Sequence, residues 1–167
     1  MQTTVTSADN LLPLVTLAAA LGCGLMAGVF FAFSTFVMKA LGRIPHGEGI
    51  AAMQAINIAV VNPWFMLVFL GTAGLCGFLA VLSLLRWEEP ASAYLLAGSL
   101  LYLLGTVLVT LAFNVPRNNA LAKLRRADPH SAHVWPDYLS RWTAWNHVRT
   151  LAALAAAALL ILALQPS

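Results

Sequence analysis

The chain has 167 residues, of which 60% are hydrophobic and only 9% charged, with a formal net charge of +3. A soluble domain of this length carries roughly a quarter charged residues, so the composition argues against a soluble fold and for a single integral membrane domain over residues 1–167. The small basic excess reads as loop charge facing anionic lipid and does not make a nucleic-acid surface.

The two cysteines, Cys23 and Cys76, each sit inside an apolar run with no partner nearby in sequence. They read as small packing residues, not as a disulfide framework or zinc knuckle. The first ten residues carry no Lys or Arg and one acid, Asp9, so the basic region of a signal peptide is missing.

The first span is expected at about 11–38, longer than the ~20 helical residues that cross a bilayer. Gly24-x-x-x-Gly28 offers a face for close helix approach, or simply faces lipid. Lys39 and Arg43 close the span, and Gly42 to Gly49 forms a turn. From Glu48 to Val61 apolar positions alternate with Gln54 and Asn57, which lie three apart on one helix face. The second span is expected at 63–85. Glu48 to Leu85 reads as one long helix bent at Asn62-Pro63, where Pro63 removes a backbone donor. A fresh start with Asn62 as N-cap is the alternative.

Arg86-Trp87-Glu88-Glu89-Pro90 is a polar turn with an interfacial tryptophan. The third span is expected at 92–113, ended by Asn114-Val115-Pro116-Arg117-Asn118-Asn119, with Asn118 a candidate N-cap. Ala120 to Arg126 reads as a short basic helix, broken by Asp128-Pro129-His130. The last span, 146–164, has its helix extended back toward Pro136 and an alanine-rich middle suited to tight packing.

The fold expected is therefore all-α, a four-helix transmembrane bundle with helices two and four extended on the cytoplasmic side. Lys39, Arg43, Arg117, Lys123, Arg125, Arg126, Arg141 and Arg149 fall on one side and only Arg86 on the other. The positive-inside rule places loops 39–62 and 114–145 in the cytoplasm and both termini outside, as in a bacterial inner membrane. A weak repeat lays Phe33-Ser34 on Phe113-Asn114 and Ala40-Leu41 on Ala120-Leu121, and Gln54 to Asn57 on Thr143 to Asn146. It reads either as chance or as two helical hairpins related about the membrane normal. In the second case Ser34, Gln54, Asn57, Asn114 and Asn146 converge at one depth, where buried amides must be paired or used.

Arg141 to Thr150 concentrates candidate chemistry at the mouth of the last span. His147 reads as a general base or as a structural imidazole. Arg149 reads as an oxyanion donor or as a snorkelling cation, and Arg117 as a second donor of that kind. Trp142 and Trp145, with Trp135 and Tyr138, read as a slot for a flat aromatic molecule or as an interfacial belt. His130-x-x-His133 with Asp128 and Asp137 lacks a strong ligand pattern, so no metal site is expected. Haem-type histidine pairs and phosphate-binding glycine loops are also missing.

Phe113 to Leu121, Trp135 and Arg141 to Leu151, with Phe31 to Leu41 and Gln54 to Asn57, resemble the anthrone oxygenase-like family. That resemblance implies a small four-span membrane protein. It also implies oxidation of anthrone-like polycyclic aromatics by O2 with no cofactor. The expected partners are thus the lipid bilayer, a small hydrophobic aromatic substrate and O2. The residues matched to the motifs give His147, Arg149 and Asn146 as catalytic candidates. Asn57, Gln54, Asn114, Arg117, Asn118, Trp142, Trp145 and Ser34 are candidates for substrate binding. The competing reading is a non-enzymatic membrane protein: a transporter, a subunit or an assembly factor.

Overall fold

A computed structural model describes residues 7–124 and 131–165, and it is all-helical over them. We number five continuous helices. Helix α1 is Ser7–Ala32, carried through a wide π turn, Phe33–Val37, into Met38–Leu41. Helix α2 is His46–Ala59 and α3 is Pro63–Leu85. Helix α4 begins as Ser92–Leu100, passes through π segments Leu101–Leu108 and Thr110–Asn114, and ends as Val115–Leu121. Helix α5 is Ser131–Leu162.

Four of these, α1, α3, α4 and α5, are long and apolar enough to span a membrane. They form a ring in which α1 packs on α3, α3 on α4, α4 on α5 and α5 back on α1. The outward faces carry exposed leucines from each span, among them Leu14, Leu25, Leu67, Leu70, Leu104, Leu108, Leu151 and Leu154. In water that surface would be prohibitive; in a bilayer it is the required one. The protein is an integral membrane protein. At 32 residues, α5 is about 48 Å long and so overruns the hydrocarbon layer of about 30 Å.

Two apolar clusters fill the bundle. The larger, mid-bundle one joins Cys23, Met26, Phe30, Phe69, Cys76, Leu79, Leu95, Tyr102, Ala153, Ala156 and Leu160. Cys23 and Cys76 are free and fully buried in it. The smaller cluster lies where α2 folds beneath the bundle and joins Met38, Leu41, Ile50, Met53, Leu121, Trp135, Tyr138 and Trp142.

The structure decides between open alternatives at two places and corrects one expectation. First, Glu48 to Leu85 is not one bent helix. Helix α2 ends at Ala59 and α3 starts afresh at Pro63, because Asn62 turns out of helical geometry and its Oδ1 accepts from Phe65 N at 3.0 Å. Pro63 then sits in the first turn, where its missing donor costs nothing.

Second, the third span does not stop at Phe113, and Asn118 is no N-cap: α4 continues through Pro116 to Leu121. The π turn just before it has already widened the backbone ladder, so a residue with no N–H fits without breaking the helix. The short basic helix expected over Ala120 to Arg126 is not separate at its start. Residues 125–130, including Asp128 and His130 of the weak metal pattern, lie outside the described residues.

Third, Gly24 and Gly28 meet no neighbour within 4 Å of an added Cβ. Close approach occurs elsewhere: a Cβ on Gly105 of α4 would lie 2.4 Å from the Ala152 Cβ of α5. That contact draws α4 and α5 together directly beside the polar residues described next.

Candidate active site

Between the two apolar clusters a layer of polar side chains crosses the bundle. Helix periodicity aims them there. On α4, Thr106, Thr110 and Asn114 recur every four residues; on α5, Trp142, Asn146, Arg149 and Thr150 follow three- and four-residue spacing; on α1, Phe30 and Ser34 lie one turn apart. Each stripe faces the bundle interior, and Ser34, Thr106, Asn114, Asn146, Arg149 and Thr150 are all buried.

Asn146 is the hub and is completely inaccessible. Its Nδ2 donates to the Phe30 carbonyl at 2.7 Å and to Ser34 Oγ at 2.6 Å. This fixes the amide, so its Oδ1 faces and accepts from Arg149 Nη2. The hydroxyls close a ring around it. Thr150 Oγ1 donates to the Asn146 carbonyl at 2.8 Å, so the 3.3 Å contact between Ser34 and Thr150 has Ser34 as donor. On the other side Thr110 Oγ1 spends its hydrogen on the Thr106 carbonyl at 2.7 Å. It therefore offers a lone pair to Arg149 Nη1, at 3.2 Å. Thr106 Oγ1 donates to the Arg149 carbonyl at 3.4 Å.

The guanidinium of Arg149 is thus held by two neutral oxygens. It is also flanked by aromatic faces, 4.3 Å from the Phe30 ring centroid and 5.1 Å from that of Trp142. Its Nε–H is buried and has no acceptor among the described residues. Both ion pairs found among those residues, Arg86–Glu89 and Arg141–Asp137, lie on the surface and leave Arg149 without a carboxylate. A buried cation costs several kcal/mol unless something compensates it. Here the compensation is hydrogen bonds and π faces, which leave the positive charge in place. A preorganised donor of that sort stabilises negative charge developing on a ligand oxygen. Nearby, Asn114 donates through Nδ2 to the Trp142 carbonyl at 3.2 Å, while its Oδ1 is a buried acceptor without a donor among the described residues.

The other candidates from the sequence are distributed differently. Asn118 Oδ1 accepts from Trp142 Nε1 at 2.8 Å and from Tyr138 OH at 3.0 Å, and so fixes the tryptophan that flanks Arg149. Asn57, on α2, is half-buried. Gln54 is away from the layer; its Nε2 caps the end of α4 by donating to the carbonyls of Leu121 and Leu124 at 2.8 and 3.0 Å. The Arg117 guanidinium folds back on its own helix, donating to the Phe113 carbonyl at 2.6 Å. Trp145 stacks on Phe113 at the rim between α4 and α5.

His147 stands outside the layer. It is exposed, beside the exposed Ala144 and Val148, on the face of α5 turned away from Asn146 and Arg149. Residue 147 is rotated by about 100° from 146 and about 200° from 149 at 3.6 residues per turn. The expected convergence of five polar residues is therefore partial. Ser34 and Asn146 touch, Asn114 joins through the Trp142 backbone, and Gln54 and Asn57 do not enter the layer.

Sequence reasoning missed Thr106, Thr110 and Thr150. The four-residue spacing of Thr106, Thr110 and Asn114 was the signal available for the first two. Among the described residues no three His, Cys, Asp or Glu side chains gather as a metal site would require.

These features define a class: a four-span membrane bundle built around a buried guanidinium with no acidic partner among the described residues. The family model described as anthrone oxygenase matches residues 65–159, more than half of the chain and all of α4. The chain belongs to the anthrone oxygenase family. No curated protein and no solved structure matches it.

Proposed function

We propose that this protein is a membrane-embedded oxygenase that oxidises an apolar, anthrone-like polycyclic aromatic with O2 and needs no bound cofactor for it. The observation that carries the reading is Arg149: a buried guanidinium held by neutral groups alone, with an Nε–H that has no acceptor among the described residues, in a chain of the anthrone oxygenase family.

In the proposed reaction the substrate carbonyl oxygen lies against the Arg149 guanidinium, with Asn146 orienting that group. Losing a proton from the methylene across the ring makes an enolate, whose charge falls on the held oxygen. The electron-rich carbon reduces O2 and bonds to it. The resulting hydroperoxide then loses water, taking the second methylene hydrogen. One anthrone and one O2 give one anthraquinone and one water. Trp142 supplies a flat apolar wall, and the apolar clusters above and below keep the layer dry, which strengthens every charge interaction in it.

His147 does not share this site. A carbonyl and the methylene opposite it span one six-membered ring, whereas Arg149 and His147 face opposite sides of a helix about 10–12 Å across. The proposal therefore gives the proton to a water carried into the layer with the substrate, which returns it to the peroxide oxygen, because bulk solvent lies beyond the apolar cluster at the basic end. It also places that end, with Lys39, Arg43 and Lys123, in the cytoplasm of a bacterial inner membrane with both termini outside; cytoplasmic fluorescence from a C-terminal reporter would contradict the placement.

The test is oxygen uptake by the purified protein in nanodiscs on addition of anthrone, with anthraquinone measured by absorbance. One quinone formed per O2 consumed supports the reading. Uptake no faster than in empty nanodiscs favours a carrier or subunit.

A further inference from the structure

The polar layer is shut off from the basic end of the bundle by the second apolar cluster, in which Trp135, Tyr138 and Trp142 stack over Met38 and Ile50. Toward the bilayer the closure is thinner. On the seam between α4 and α5 the rings of Phe113 and Trp145 lie face to face, with centroids 3.5 Å apart and planes 6° from parallel. Trp145 is one helical turn before Arg149, and Phe113 is three residues after Thr110, the Arg149 acceptor. Both rings are half-buried, while Arg149, one turn further along α5 from Trp145, is buried. Phe113 is carried on the π turn Thr110–Asn114, a stretch outside the regular helical ladder.

A pair of stacked rings is a particular kind of closure. A flat third ring inserted between them replaces one face-to-face contact with two, whereas a bulky aliphatic molecule loses the contact and gains none of that kind. We propose that Phe113 and Trp145 are the specificity-determining pair of this site. They part to take a planar fused-ring molecule between them and hold it edge-on, with an oxygen directed at Arg149. This rests on the oxygenase reading for the reaction but not for the binding.

The experiment uses the full chain in nanodiscs and two probes: 1,8-dihydroxyanthraquinone, which is coloured and not turned over, for binding, and anthrone for oxygen uptake. Trp145→Leu and Phe113→Leu keep apolar bulk but remove the flat face; Trp145→Phe restores a flat face without the indole. Thermal unfolding confirms that each variant is folded, and a leucine variant that fails to fold passes its arm to Trp145→Met. The expected result is about tenfold weaker dye binding in the leucine variants, with KM for anthrone raised by a similar factor and kcat little changed. Trp145→Phe then stays close to wild type.

Wild-type dye affinity in both leucine variants overturns the proposal. So does an equal loss in Trp145→Phe, because the indole and not the plane would then matter, and so does a wild-type protein that binds no dye. If the wild type binds dye in a Trp145-dependent way yet takes up no oxygen with anthrone, the specificity pair stands and the oxygenase reading fails.

Discussion

Replacing Arg149 by methionine separates what the guanidinium does for the fold from what it does for chemistry. Arg149 is 5% exposed, and burying an arginine in a membrane helix costs up to about 3 kcal/mol, the figure for the bilayer centre. Methionine removes that cost. It also removes two charge-assisted hydrogen bonds, to Asn146 Oδ1 and Thr110 Oγ1, each worth roughly 1.5–3 kcal/mol, and the cation–π contacts to Phe30 and Trp142. These changes oppose one another and are similar in size. The residue of the sum is an Asn146 Oδ1 left without a donor, about 1–3 kcal/mol. Stability should therefore move by about 2 kcal/mol or less, which for a chain of this size is a Tm shift of roughly 4–8 °C. Removing an oxyanion donor lowers turnover by about 100- to 1,000-fold. The assay pairs thermal unfolding in nanodiscs with oxygen uptake on anthrone. An Arg149→Met protein that turns over within about threefold of wild type, less than 1 kcal/mol of barrier, refutes the oxyanion role. One that no longer folds shows the guanidinium to be a structural strut.

Three further substitutions test neighbouring links. His147→Ala, on the outward face of α5, should change stability by no more than about 0.5 kcal/mol and leave oxygen uptake within about twofold; loss of turnover in a folded variant would restore the imidazole as base. Asn146→Asp puts a permanent carboxylate against Arg149 and removes the donor to the Phe30 carbonyl and Ser34. Oxygen uptake should fall about as far as in Arg149→Met, by roughly 100-fold or more, and a fully active aspartate variant would show that Arg149 binds no anion. Gly105→Val drives a side chain into Ala152 and should cost about 1–3 kcal/mol in unfolding experiments, with Ala152→Gly in the same chain recovering much of it.

The spans were legible in the sequence because hydropathy reports them directly: a run such as Pro63 to Leu85 admits no other placement. The break at Asn62 was readable only as one of two options. Asparagine followed by proline serves a kink and a capped start equally well, and only the Asn62–Phe65 hydrogen bond decides. Pro116 misled in the other direction. It is a helix stop in a regular ladder, and nothing in the composition of Thr110 to Asn114 announces a π turn that accommodates it. At the site, Ser34, Asn146 and Arg149 were readable as polar residues in apolar spans. His147 was attractive for its chemistry alone, and its direction, fixed by helix phase relative to Asn146, outweighs that attraction. Thr106, Thr110 and Thr150 were passed over because threonine in a membrane helix ordinarily bonds its own backbone. Thr110 does so here and still presents a lone pair to Arg149.

The partners of Arg149 match what the proposed reaction asks for, a neutral substrate that becomes anionic. The chain holds only six acidic residues, and among the described residues none pairs with Arg149; Asp137, the one in α5, pairs with Arg141 on the surface. A carboxylate in place of Asn146 would settle the buried charge more firmly, but it would neutralise the field that a developing enolate requires. An amide orients the guanidinium without cancelling it, and its own orientation is imposed by Phe30 and Ser34 from another helix. The faces of Phe30 and Trp142 add attraction that is diffuse and likewise leaves the charge in place. In the proposed reaction such a site would interact weakly with a ketone and strongly with its enolate, and that difference, not the strength of either contact alone, is what lowers a barrier.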